Sequence, residues 1–370
     1  MSSRKKKSVL SAGNGIWRGL LWWCALVSAL LLTLCGAATF VNPARFPPLG
    51  VFVLGFPFFL VATLVFILIC LFLHVKRWWI VGIILLLNAW CVRIYFPMNL
   101  PQDVSSDCLK VLSFNVQNLF VERGLPADSQ PVARYILDSG ADIVCLQEAP
   151  NHHKSYFKHT LPVLKQAYAY RDSLKMKSSS YLDVYSRLPI LKCELVADGK
   201  TNQCAAFTLL DGADTLIVVN CHLRSMHLSL EEKANFSGIV HDADTLSVGD
   251  KKRGSVLLVT KIASASVERA AQVDELCRYL ERQKGKRIIL CGDFNDTPIS
   301  YAHNRISSYL TDCYAATATG FGRSFNANSM LVRIDYMFCS SHFKPYGCQI
   351  DQSILLSDHY PISCTFQRRK

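Results

Sequence analysis

The sequence predicts an α/β fold, two β-sheets packed together with helices outside, preceded by three transmembrane helices. Three observations predict it. The first 100 residues hold nine Lys and Arg, no Asp or Glu, and three long apolar runs. Beyond them, short β-rich runs recur between turn-forming residues, and amphipathic helical patterns lie between some of those runs.

The apolar runs are Ile16 to Val41, Leu49 to His74 and Trp78 to Tyr95, each about 18 to 26 residues and long enough to cross a hydrocarbon core of about 30 Å as a helix. They divide the chain into a membrane region, 1–96, a linker, 97–108, and a domain, 109–370. Of the formal charge of +12, +9 belongs to the first 100 residues and +3 to the rest. The high pI therefore mostly reports membrane-flanking charge, and a domain of net +3 gives a nucleic-acid groove only weak support. Arg4, Lys5, Lys6, Lys7 and Arg18 precede the first run, Lys76 and Arg77 separate the second from the third, and the first loop carries only Arg45. Basic residues flanking short loops stay cytoplasmic. That places the N-terminus inside, the domain on the exported side, and the chain in the plasma (inner) membrane.

Eleven of the fifteen cysteines follow residue 100, an odd number for an exported domain, where thiols usually pair. Cys145, Cys221, Cys291, Cys339 and Cys364, however, sit in apolar runs where a free cysteine serves as a small buried hydrophobe. The linker PMNLPQDVSSDC, fully extended, spans at most roughly 40 Å.

The strand-like runs are KVLSFNV, DIVCLQE, LDVYSRLPI, QCAAFTLL, TLIVVNCHL, RIILCGDF, IDYMFCS and YPISCTF. Helices are expected over PVARYILDSG, with Pro at its start and Gly at its end, and over 267–283, where Val273, Leu276, Cys277 and Leu280 recur at helical spacing. Residues 228–262 interrupt this rhythm and read as a mobile flap or a helical insertion.

Five strand ends finish in groups suited to metal and phosphate chemistry. They are Asn115, Glu148, His222, Asp293 with Asn295, and Asp358 with His359. Each alone is explained by a turn, a cap or a solvated charge. Together they match what phosphoester hydrolysis requires: hard oxygen ligands for a divalent cation, a base for water, and donors for the developing negative charge. Asp335 is a carboxylate able to fix a histidine's tautomer. LCGDFNDTP, 290–298, crowds two acids and an amide behind a glycine, which suits either a surface turn or a ligand site.

The ordered set SFNVQNL, LQE, SRLPI, NCHL, GDFND, RIDYMF and SDHYP resembles the endonuclease/exonuclease/phosphatase superfamily, which includes deoxyribonuclease I, exonuclease III, inositol polyphosphate 5-phosphatases and neutral sphingomyelinases. The resemblance covers about residues 108–368. It implies a four-layer α/β sandwich, two packed mixed sheets flanked by helices, with the site at one end of the sheets. It also implies a Mg²⁺-dependent phosphoesterase, with Mn²⁺ as an alternative metal. Glu148 would be the principal metal ligand, with Asn115 beside it, where it could also meet substrate, and Asp358 as a further ligand. Asp293 would activate or orient water, Asn295 would position water or phosphate, and His359, oriented by Asp335, would donate to the phosphate. His222 would stabilise the oxyanion or leaving group. Family members use either an aspartate or a histidine as base, and the sequence leaves that choice open. Arg187 in SRLPI and Arg269 in ERAAQ are further candidates to reach phosphate. The implied partners are a phosphoester substrate (nucleic acid, lipid headgroup or small molecule) and the lipid bilayer, with no protein partner. A catalytically silent binding module would lack residues of the Glu148, Asp293 or His359 type, and all three are present.

Overall fold

The computed structural model describes residues 2–103, 108–122, 125–126, 129–150, 157–226, 248–326 and 331–369. The N-terminal part is helical. Gly15–Ala38 and Leu49–Phe72, 24 residues each, are long and apolar enough to cross a membrane. The third expected span is broken: Trp78–Leu87 and Ala89–Tyr95 meet at a 60° bend. The side chain of Asn88 sits at that bend, donating to the Ile84 carbonyl and to Thr33 Oγ1, both at 2.8 Å. A polar side chain inserted into the helical ladder is a known cause of a kink.

Twelve strands follow among the described residues. They are β1 (Cys108–Asn115), β2 (Ile143–Ala149), β3 (Tyr170–Lys175), β4 (Tyr181–Ser186), β5 (Ile190–Ala197), β6 (Cys204–Asp211), β7 (Asp214–His222), β8 (Arg287–Asp293), β9 (Thr311–Asp312), β10 (Asp335–Cys339), β11 (Phe343–Ile350) and β12 (Ile362–Arg368). They form two six-stranded sheets, ordered β11-β12-β1-β2-β4-β3 and β5-β6-β7-β8-β10-β9. Each sheet is mixed, with one parallel pair, β1 with β2 and β7 with β8. Parallel neighbours need a crossover. The helix Pro131–Asp138 lies between the first pair, and the 35-residue helix Val248–Arg282 leads into β8.

Both sheets are buried on both faces, so their strands read as apolar runs without clean alternation. Along β1 and β2, Val111, Ile143 and Cys145 face the other sheet, while Leu112, Val144 and Leu146 face Val132 and Ile136 of the outer helix. Along β8, Ile289 and Cys291 face inward, and Ile288 and Leu290 pack on Val273, Leu276 and Leu280. This is the four-layer sandwich that the sequence predicts. All fifteen cysteines are free, and the five expected to be buried are at most 1% exposed.

The strands that sequence reading missed or misjoined are the four sheet edges. β3 and β11 are polar or Pro- and Gly-bearing, β9 has two residues, and LDVYSRLPI is β4 from its second residue run on into the first residue of the edge strand β5, in the other sheet. Residues 228–262 resolve as helix from Val248 onward; residues 227–247 lie outside the described residues.

The domain is seated on the apolar helices and does not merely hang from a linker. Met98 bridges to Thr319, and Asn99 Nδ2 donates to the Ala315 and Ala318 carbonyls. The fully buried Arg333 donates to the carbonyls of Phe321 and Ile94. Asn42 donates to Asp274, and Ile299 packs with Leu32 and Phe56.

Candidate active site

The parallel pairs decide where the site forms, because polar groups at the carboxyl ends of such strands project beyond the packed core. In the second sheet, β7 and β8 align His222 with Asp293, and β8 and β10 align Asp293 with Asp335. Three chemically active residues thus stand in one row across adjacent strands. In the first sheet, β1 and β2 align Asn115 with Gln147, and Glu148 follows at a register shift against β4. The local backbone is specialised. Glu148 and Asn295 have φ near +50°, a strained region for non-glycine residues that clusters at functional sites. Gly292, at φ +137°, has room for no side chain: a Cβ would lie 2.0 Å from the Cys221 carbonyl oxygen of β7. That close approach explains the glycine in LCGDFND.

Asp293 is the hub. Its Oδ1 accepts the Asn295 backbone N–H at 2.8 Å, and its Oδ2 accepts from Asn295 Nδ2 at 3.1 Å and Asn115 Nδ2 at 3.2 Å. The His222 Nε2 lies 3.6 Å from both Asp293 and Glu148. His359 Nδ1 is 2.9 Å from Asp335 Oδ2, and its Nε2 is 3.7 Å from Asp293. Burial pushes the Asp293 carboxyl up; Asp335 and Glu148 add to that, and His359 and the Asn295 N–H oppose it, leaving it raised to about 7. For His359, burial acts downward but Asp335 and Asp293 dominate, raising the ring to about 10. The Asp335 carboxylate at Nδ1 and Asp293 thus favour the protonated ring, and the Asp335 contact fixes its orientation. Glu148, with its side chain 30% exposed, is the member of the group open to solvent.

Other candidates fall differently. Asn115 turns its amide nitrogen toward Asp293 and, at 3.4 Å, toward Glu148, while its Oδ1 accepts the Gln117 N–H. In this arrangement it positions the two carboxylates. Asp358 is half-buried beside His359, with its carboxylate near Ser357 Oγ at 3.4 Å. Arg187 is not brought to the site. It pairs with Asp142 at 3.0 Å, just before the end of β2 opposite Glu148, about 20 Å away at the rise of a strand. Arg269 is buried behind the GDFND loop and committed to Asp296 at 3.2 Å, to Ser266 Oγ and to the Arg224 carbonyl. Asp296 also accepts the Thr297 N–H at 3.0 Å, capping the turn. Sequence reading missed a buried layer beneath the site. Gln147 Nε2 donates to Asn220 Oδ1 at 2.7 Å and Ser113 Oγ at 3.0 Å, tying the sheets together, and Asn220 Nδ2 donates to the Leu146 carbonyl. Its signal was present: a lone amide inside each of the apolar runs IVCLQEA and LIVVNCH.

Among the described residues, Asp293, Asp335 and His359 present ligand-type atoms within 4.8 Å of one another. The carboxylate oxygens of Asp293, Asp335 and Glu148 at this cluster are hard donors of the kind that fit a divalent ion.

The fold and the strand-end chemistry define a phosphoester hydrolase of the α/β-sandwich type. The Endonuclease/Exonuclease/phosphatase family matches residues 112–359, and the chain belongs to it. A second match, to a Domain of unknown function (DUF8431), covers residues 18–95. An endonuclease/exonuclease/phosphatase from Beutenbergia cavernae is similar in structure, with a TM-score of 0.51 and 16% identity, over 70% of this chain and 72% of that one. Truncated Caenorhabditis elegans TDP2 scores 0.47 at 17% identity, over 72% of this chain and 99% of that one. The catalytic domain of human Nocturnin with bound sulfate anion scores 0.48 at 16% identity, over 71% and 95%. No curated protein matches the chain. Members of the family are hydrolases of phosphoester bonds that depend on divalent metal.

Proposed function

We propose that the chain is a membrane-anchored, Mg²⁺-dependent phosphoesterase that cleaves a phosphodiester or phosphomonoester by in-line attack of water. The observation that carries this reading is the row His222, Asp293 and Asp335 beside Glu148, with His359 held by Asp335 at 2.9 Å. Glu148 would hold the metal, with Asn115 beside it, Asp358 as a further oxygen ligand and Mn²⁺ as a working substitute. When bound, the ion supplies charge neutralisation at the phosphoryl oxygens. Asp293 accepts the proton of the attacking water, and Asn295 and Asn115 hold its carboxylate in place. His359 donates to a phosphoryl oxygen from Nε2, kept protonated by Asp335. His222, between Glu148 and Asp293, donates to the developing negative charge or the leaving group.

Anchoring is supported by the two apolar helices and by where the domain docks. Asn42, in the loop after the first apolar helix, and Ile94, at the end of the third, both touch it. Those two points share one side only if the bent third helix completes a crossing. With the basic residues of the N-terminus and of Lys76–Arg77 inside, that side is the exported one. One observation favours a lipid headgroup over nucleic acid: the loop from Asn295 to Ser300 joins the site directly to the apolar helices, with Ile299 packed on Leu32 and Phe56.

The test is turnover by the full chain in lipid nanodiscs of supercoiled DNA, RNA, a phospholipid phosphodiester and an aryl phosphodiester, with Mg²⁺, with Mn²⁺ and with a chelator. Metal-dependent turnover, fastest on the lipid, is expected. Failure on every phosphoester with either metal would overturn the proposal.

A further inference from the structure

The helix Val248–Arg282 changes character along its length. From Ile262 onward it is covered: Ile262, Ala265, Ser266 and Arg269 are buried, and Val273 and Leu276 pack on the second sheet. Just before, the sequence VLLV occupies 256–259. Four successive helical residues step by about 100° each and so surround the axis. Val256, Leu257 and Val259 are 60%, 49% and 46% exposed. Leu258 between them is half-buried, and an apolar turn left exposed at its three other residues is not explained by packing on the domain.

Its position says what covers it. Ser266 lies against Gly50, so close that a Cβ there would come within 2.4 Å of the hydroxyl, and Gly50 stands at the start of the second apolar helix. At the rise of a helix, residues 256–259 begin about 10 to 15 Å from that contact. The same end of the apolar helices carries exposed aromatic rings: Phe40 and Phe46 in the first loop, and Trp90, which stacks on Phe40 at 6.4 Å. Aromatic residues collect at the boundary between hydrocarbon and water. The sequence KKRG at 251–254 adds three basic residues just ahead of the apolar turn, the composition of a helix that lies in an anionic lipid surface.

We propose that residues 254–261 of this helix lie in the surface of the lipid bilayer, as a second contact of the catalytic domain with the membrane beyond its apolar helices. The inference rests on the membrane-anchored reading above. It makes the bilayer the occupant of the VLLV turn and fixes the domain's orientation on the membrane.

Photoreactive p-benzoylphenylalanine at Leu257 of the full chain, in vesicles of phosphatidylethanolamine and phosphatidylglycerol, tests it. The same probe is placed at Leu68, 65% exposed on the second apolar helix, and at Leu191, 56% exposed on β5. Irradiation and peptide mass spectrometry should show the mass of one phospholipid added at positions 257 and 68, and none at 191. Lipid at 68 but not at 257 overturns the inference and leaves anchoring intact. Crosslinking of 257 to protein overturns it in favour of a protein partner. No lipid at 68 overturns the anchored reading itself and this inference with it.

Discussion

The two sheets supply the site through parallel strand pairs, yet they build it by opposite means. In β7 and β8, extended by β10, register alone sets His222, Asp293 and Asp335 side by side. In β1 and β2, the acid reaches the site by leaving the regular ladder: Glu148 sits at a register shift with φ +50°. The groups proposed to handle protons on β7, β8 and β10 are thus held on regularly hydrogen-bonded backbone. The more exposed carboxylate suited to a metal is held on a strained turn. Precision of proton transfer depends on fixed distances, whereas a hard-oxygen ligand needs reach and access to solvent.

Breaking the row should have the largest effect. Asp293→Asn preserves size but removes the proton acceptor, and turnover should fall by about 10² to 10⁴ with the melting temperature no lower than wild type. Near-wild-type turnover would make the row mere scaffold. Next comes the support behind it. Asp296→Asn removes the carboxylate that pairs with the buried Arg269 guanidinium, so chemical denaturation should show a loss of about 3 to 5 kcal/mol, while the folded fraction keeps its turnover.

The strained half is tested by two substitutions at one position. Glu148→Gln and Glu148→Gly should both raise the Mg²⁺ concentration needed for half-maximal activity. Only the glycine variant should regain part of the strain, of order 1 to 3 kcal/mol, seen as a higher melting temperature than the glutamine variant. Equal melting temperatures would remove strain from the comparison.

The smallest effect is a pH dependence. His359 is raised from 6.5 to about 10 by carboxylates that exist around it only in the folded state. Its stabilisation is therefore complete below about pH 6.5 and lost as pH rises through about 10. The melting-temperature gap between wild type and His359→Gln should shrink over that window. A constant gap would mean that His359 acts by packing against Phe325, whose ring centroid is 5.0 Å away.

Residue type anticipated most of this cluster of side chains, whereas the structure places the two arginines outside it. Asn115, Glu148, His222, Asp293, Asn295, Asp335 and His359 all follow or open apolar runs, so their clustering was legible once the runs were read as strands. Arg187 also follows such a run, but β4 runs antiparallel to β2, so its carboxyl end lies at the far side of the sheet. Arg269 stands on a helix whose sequence marks it as partly buried, yet nothing local shows that its partner is Asp296, 27 residues away.

By itself, the sequence determined the two long apolar helices, the central strands, the helix over 267–283 and the chemical inventory of the strand ends. These depend on hydrophobic periodicity and residue identity within one segment. The tertiary structure alone decided the four edge strands, the break at Asn88, the single row of His222, Asp293 and Asp335, and the seating of the domain on its apolar helices. Edge strands are covered on fewer sides and need little apolar sequence. Pairing and register join segments far apart in the chain, so no local pattern encodes them.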